Sequence, residues 1–210
     1  AIVQGIDDSV AVDVRLRVDP VQNPGNEVVR SAREIECELL LLRCHRGDAN
    51  AFTALTRLWE RRLLYYIRRL VRTEEDAWDV LQEVWIKVWG NVGSVRDAAS
   101  LRPWLYRVAH NAAVSHMRYE SRIEALSEAL EEVAATGCEP AFDSDEADRI
   151  HRALDRLAPL QREVLTLVFL EEFSHVEVAD ILGIPVGTVK SRLFYAKQAL
   201  RALLDAEKSP

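Results

Sequence analysis

Along residues 34–204 apolar side chains recur every three or four positions, the spacing that lines one face of a helix. Strand-like alternation is almost absent after residue 30. The first predicted helix is Glu34–Arg46, stopped by Gly47. Asp48 is placed to cap a long second helix, Ala49–Arg72, whose inward stripe is Phe52, Leu55, Trp59, Leu63 and Ile67. Thr73 caps a third, Glu74–Trp89, a loop follows over Gly90–Ala99, and Ser100 caps a fourth that runs to about Arg122. A second helical unit covers residues 145–157, then 160–170 after Pro159, then two further helices. The expected fold is therefore all-α: an extension over residues 1–33, a helical domain over 34–122, a linker over 123–143 and a second helical domain over 144–210. Within the extension, residues 10–18 alternate in period two with no partner strand, which predicts disorder, or order only against a partner.

Residues 174–201 predict a helix, a sharp turn and a second helix. Ser174 and Glu177 have capping-box spacing. Val178, Ile181 and Leu182 form an apolar face, and Ala179 is small where two helices cross. Gly183 stands where a helix C-terminus favours a left-handed residue. Ile184 plugs the core and Pro185 opens the next helix. Val189 and Leu193 turn inward, leaving Lys190, Ser191, Arg192, Phe194, Tyr195 and Lys197 outward. Val186–Arg201 holds four basic residues and no acid, the charge pattern of a recognition helix in a DNA groove. Taken alone, the stretch also fits a helical hairpin with a solvated basic face.

A net charge of −7 argues at first against nucleic acid. The acids are concentrated, however: residues 123–148 hold nine Asp or Glu and no Lys or Arg, and without them the chain carries +2. The acidity belongs to the linker, not to the helical units beside it. Cys37, Cys44 and Cys138 match neither a disulfide framework nor metal-ligand spacing. No apolar run reaches membrane-span length and no signal-peptide pattern opens the chain, so a cytoplasmic setting is expected, with no membrane insertion, cofactor or metal.

Two polar faces stand out in the first unit. The segment DAWDVLQEVWIKVW presents Asp76, Asp79, Gln82, Glu83 and Lys87, a solvated face or a docking face for a basic partner. The segment RPWLYRVAHNAAVSHMRYESR presents Arg107, Asn111, Ser115, Arg118 and Arg122, suited to phosphates and unstacked bases or, equally, to water. Trp104, Leu105, Val108, Ala112 and Val114 are its core-like positions.

In combination, GDANAF, DAWDVLQEVWIKVW, LRPWLYRVAHNAA and LAPLQREVLTLVFLEEFSHVEVADILGIPVGTVKSRL resemble the extracytoplasmic-function class of bacterial RNA polymerase sigma factors, of the sigma-70 family. The likeness covers about residues 34–204, with sigma domain 2 followed by helix-turn-helix domain 4. The resemblance implies no enzyme. It implies a subunit that binds core RNA polymerase through Asp76, Asp79, Gln82 and Glu83. Asn91, Val95, Asn111, Ser115 and Arg118 would take single-stranded −10 DNA. Thr188, Lys190, Ser191, Arg192, Phe194 and Tyr195 would read duplex −35 DNA. It also leaves room for an anti-sigma partner. Tyr195 stands where related proteins often carry a basic residue. A helix-turn-helix regulator acting without replacing the sigma subunit is the alternative, and residues 76–118, which such regulators lack, argue against it. An adaptor that binds only a regulatory protein is disfavoured by the basic second helix.

Overall fold

The computed structural model describes residues 32–127, 150 and 152–206, and every element among them is helical. The alternating segment 10–18 and nearly all of the acidic linker lie outside the described residues. Helix α1 spans Ala32–His45. Gly47, at φ 78°, supplies the left-handed turn that ends it. Asp48 accepts hydrogen bonds from the Asn50 and Ala51 amides at 2.9 and 3.2 Å and so caps α2, Ala49–Arg68. A bond from Arg43 and those amides hold the Asp48 carboxyl below its ordinary range. The predicted stripe is buried except for half-covered Phe52, and Tyr66, left out of it, is fully buried. The helix stops at Arg68 rather than Arg72, where the chain turns through 69–73.

Thr73 and Asp76 close a capping box on α3, Glu74–Asn91. One 3-10 turn, Val92–Ser94, leads to α4, Ala98–Ser127. The cap of α4 is Asp97, not Ser100: its carboxylate accepts from the Ser100 amide at 2.7 Å and from the Ser100 hydroxyl at 3.0 Å. An aspartate three positions earlier starts the helix three residues sooner than a cap at Ser100 would. The other end of α4 runs to Ser127, past the Arg122 expected from sequence. Ala109, Ala112 and Ala113 are fully buried along it, and such small side chains let neighbouring helices approach closely.

In the C-terminal part, α5 is Pro159–Leu165 with proline in its first turn, continuing as a π-turn over Thr166–Leu170. Helices α6, His175–Leu182, and α7, Val186–Ala206, follow. The described residues fall in one compact unit, and α6 lies against α4. The two helical parts meet through buried polar contacts. Tyr66 Oη donates to Glu163 Oε1 at 2.7 Å, and His110 Nδ1 lies 2.7 Å from the same oxygen. Tyr106 donates to Glu171, and Arg69 pairs with Asp155. Arg162 donates to the Arg69 carbonyl at 3.2 Å. The Phe173 ring packs edge-on against Tyr106 at 4.9 Å, with the Arg102 guanidinium 4.2 Å from its centroid. Glu163 and Glu171 are each only 4% exposed, so both carboxylates depend on these partners.

Candidate nucleic-acid interface

The turn between α6 and α7 is built as its residue types require. Ser174 Oγ accepts from the Glu177 amide, while Glu177 accepts from the Ser174 amide at 2.8 Å. Gly183 takes φ 64°, and the next amide, Ile184, returns to the Ala179 carbonyl at 3.1 Å. The Pro185 carbonyl accepts from Thr188 and Val189, which starts α7. Val178, Ala179 and Ile181 of α6 bury against Val189, Leu193 and Ala196 of α7. This packing fixes which side of α7 faces out.

The outward side carries all six residues assigned to duplex DNA. Lys190, Ser191, Phe194 and Tyr195 are exposed, and Thr188 and Arg192 are half-covered. Phe194 and Tyr195 are 57% and 60% exposed and stand edge to face, with ring centroids 5.5 Å apart. Ser191 Oγ donates to the Thr188 carbonyl at 3.0 Å and can still accept a hydrogen bond from outside. Lys197 sits over the Phe169 ring at 5.0 Å.

A concavity of about 340 Å³ opens where the end of α3 and the 3-10 turn meet α4. Lys87, Asn91, Ser94, Trp104, Val108 and Asn111 line it. It brings together Asn91 and Asn111, two of the residues assigned to single-stranded DNA. Asn91 is held by a bond from its amide nitrogen to the Lys87 carbonyl at 2.8 Å. Ser115 and Arg118 are exposed further along α4, at helix spacing from Asn111. Val95 departs from the expectation. It is 5% exposed, its amide bonds the Val92 carbonyl, and it packs into the core beneath the turn, so its side chain is not presented to a base. Lys87, Ser94, Trp104 and Val108 were missed as lining residues. Trp104, Val108 and Asn111 follow the i, i+4, i+7 pattern of one helix stripe. The sequence reading divided that stripe between core and polar face.

On α3, Asp79 and Gln82 are exposed, and Glu83 pairs with Lys87 at 2.6 Å. Asp76 is set apart from them. One oxygen accepts from the Thr73 hydroxyl and amide at 2.6 and 3.1 Å, and the other lies 3.3 Å from His116 Nε2. Burial raises the Asp76 pKa, but the bonds from Thr73 and the nearness of His116 outweigh it and the carboxyl titrates below its ordinary value. Asp76 is therefore the N3 member of the capping box that also meets α4, not a presented side chain. The exposed apolar residues Trp78, Ile86 and Trp89 share the stripe of Gln82, giving this face a mixed acidic and apolar character.

Family models agree with the two helical parts. The model for Sigma-70 region 2 matches residues 55–123, and that for Sigma-70 region 4 matches residues 147–200. The RNA polymerase sigma-H factor of Pseudomonas aeruginosa is 32% identical over 178 residues, covering 79% of this chain and 92% of that protein. The chain belongs to the extracytoplasmic-function sigma factors of the sigma-70 family, the class of the two relatives that follow. SigM of Mycobacterium tuberculosis is 36% identical, covering 75% of this chain and 79% of its own length. Sigma-E of Escherichia coli is 30% identical, covering 80% and 94%. Among solved structures, the sigma factor RpoE in complex with the anti-sigma factor NepR from Bartonella quintana superposes with a TM-score of 0.64 at 26% identity. That match covers 75% of this chain and 98% of RpoE. Membership carries the coarse function: a sigma factor acts in transcription initiation, with core RNA polymerase and promoter DNA as partners, and is not a catalytic enzyme. No helix among the described residues is long and apolar enough to cross a membrane.

Proposed function

We propose that this sigma factor selects promoters by reading a duplex −35 element with α7 and by holding an unstacked −10 base in the concavity between α3 and α4. The observation that carries the reading is the concavity itself: Asn91 and Asn111, far apart in sequence, meet at one opening with the Trp104 ring beside them. Amide side chains offer both donors and acceptors to a base edge, and an aromatic ring offers a stacking surface. A melted element needs such a pocket, whereas a duplex element needs a helix in the major groove. The outer side of α7, acid-free from Val186 to Arg201 and with Lys190 and Arg192 flanking Ser191, supplies that helix. The mixed face of Asp79, Gln82, Glu83, Trp78 and Ile86 is then the surface for core polymerase. Residues 34–122 and 144–210 act as the −10 and −35 domains, with 123–143 as the tether.

Elements centred about 25 base pairs apart lie about 85 Å apart at about 3.4 Å per pair. The Tyr66–Glu163 bond is one of several contacts between the two parts, and on this reading they separate when both elements are bound. Equilibrium binding of the full chain with core polymerase to a fluorescent −10 oligonucleotide tests the pocket. Asn111→Ala is expected to weaken binding while leaving core affinity unchanged. Equal affinity for the oligonucleotide would contradict the assignment.

A further inference from the structure

We propose that Asp76, His116 and Glu120 form a binding site for one divalent transition-metal ion of the zinc or cobalt type, a site independent of the promoter contacts. The three residues come from two helices: Asp76 from the first turn of α3, and His116 and Glu120 from one face of α4, four residues apart. Their donor atoms all lie within 4.8 Å of one another. Nε2 of His116 is 3.3 Å from Asp76 Oδ1 and 3.6 Å from Glu120 Oε1. Two donors on one tetrahedral ion with bonds of about 2.0–2.2 Å stand about 3.3–3.6 Å apart, so both separations already match.

The imidazole is the second observation. Its Nε2 is shielded from solvent, yet it completes no hydrogen bond with either oxygen despite their nearness. A ring nitrogen that hydrogen-bonded one carboxylate would aim its N–H at that oxygen. This nitrogen instead lies 3.3 Å from one carboxylate oxygen and 3.6 Å from the other, so a single ion can serve all three donors at once. Asp76 is held for the role, because its other oxygen is fixed by the Thr73 hydroxyl and amide. The residues are partly exposed, which leaves a path for the ion and room for water in the remaining position. One nitrogen with two carboxylates favours zinc, cobalt or nickel over magnesium or calcium. The positive end of α3 opposes a cation there, and the two ligating carboxylates with neighbouring Glu75 offset it. A bound ion would tie the start of the polymerase-facing helix to the helix that bears Asn111 and Ser115.

The test is a titration of the untagged, chelator-treated full chain with Co²⁺, followed by visible absorption and by calorimetry, then competition with Zn²⁺. One ion per chain is expected, with d–d bands of a four-coordinate nitrogen and oxygen site that Zn²⁺ abolishes. His116→Ala and Glu120→Gln are expected to weaken binding by about 100-fold or more, since even outer-sphere partners are worth about 10–100-fold. Glu120→Gln leaves the Thr73–Asp76 cap intact, so its effect is separate from folding, which circular dichroism follows in each variant. Three results would overturn the site: no saturable binding, thiolate charge-transfer bands that place the ion on cysteine, or binding unchanged in both variants. In each case the cluster is only a histidine–carboxylate ion pair.

Discussion

Tyr66 of α2 and Glu163 of α5, ninety-seven residues apart, share a 2.7 Å hydrogen bond in a site closed to water. His110 reaches the same carboxylate oxygen from α4. Three helices of two different sigma regions thus converge on one buried acid. Removing one of two donors from a buried acceptor costs about 1–3 kcal/mol. Tyr66→Phe keeps the ring packing against Tyr106 and deletes only the hydroxyl. It is expected to raise hydrogen exchange in residues 159–170 and to lower the urea midpoint. Unchanged exchange there would mean that this bond does not hold the two parts together.

The same contacts set a pH dependence. Burial first, and the adjacent Glu163 carboxylate second, push the Tyr66 phenol well above its ordinary 10.0. Burial and Glu171 do the same for Tyr106. A raised pKa in the folded state means that the unfolded chain loses these protons first. The stabilisation is complete below about pH 10 and is lost as pH rises beyond it. Asp76 has the opposite sign: its carboxyl is lowered from 3.8, so its contribution is present above that value and falls away in more acidic solution. Urea midpoints measured against pH check both arms. The Tyr66→Phe, Tyr106→Phe double variant should flatten the alkaline arm, and Asp76→Asn should flatten the acid arm.

Much of this was legible because it is local. The Ser174–Glu177 box, the Gly183 turn and the inward Val189 and Leu193 follow from residue type at fixed short spacing, and all stand as read. Asp97 displaced Ser100 as the cap because two capping residues lay within one turn, and spacing does not rank them. The buried pairs Tyr66–Glu163 and Tyr106–Glu171 left no local trace. A tyrosine or glutamate on an amphipathic helix reads as its polar side until a distant element covers it. Val95 came from the resemblance rather than from its surroundings, and the 3-10 turn before it carries its side chain into the core.

On α7, Lys190→Ala is expected to weaken binding to all −35 duplexes nearly uniformly and to reduce the salt dependence by about one ion. Ser191→Ala and Phe194→Ala are expected to change which sequences bind, with about 1–3 kcal/mol lost at the affected base pair. Duplex binding across a panel of single-base variants separates the two behaviours. Sequence preferences unchanged in both Ser191→Ala and Phe194→Ala would remove α7 from base readout.

At the concavity, Asn91→Ala and Ser115→Ala are expected to slow open-complex formation, with Asn91→Ala the larger because Asn91 lines the opening. Permanganate footprinting of the melted strand follows the step directly. Melting at the parental rate in both variants would leave the concavity without a role.

The most direct measurement is run-off transcription by core RNA polymerase on a randomised promoter library, with and without the full chain. Added protein is expected to produce transcripts from a subset of templates sharing a −35 and a −10 element at fixed spacing. Asn111→Ala should relax the −10 preference and Phe194→Ala the −35 preference, each without changing the other. Transcripts that do not depend on the protein, or a template subset with only one shared element, would contradict a sigma factor that reads its promoter at two separate sites.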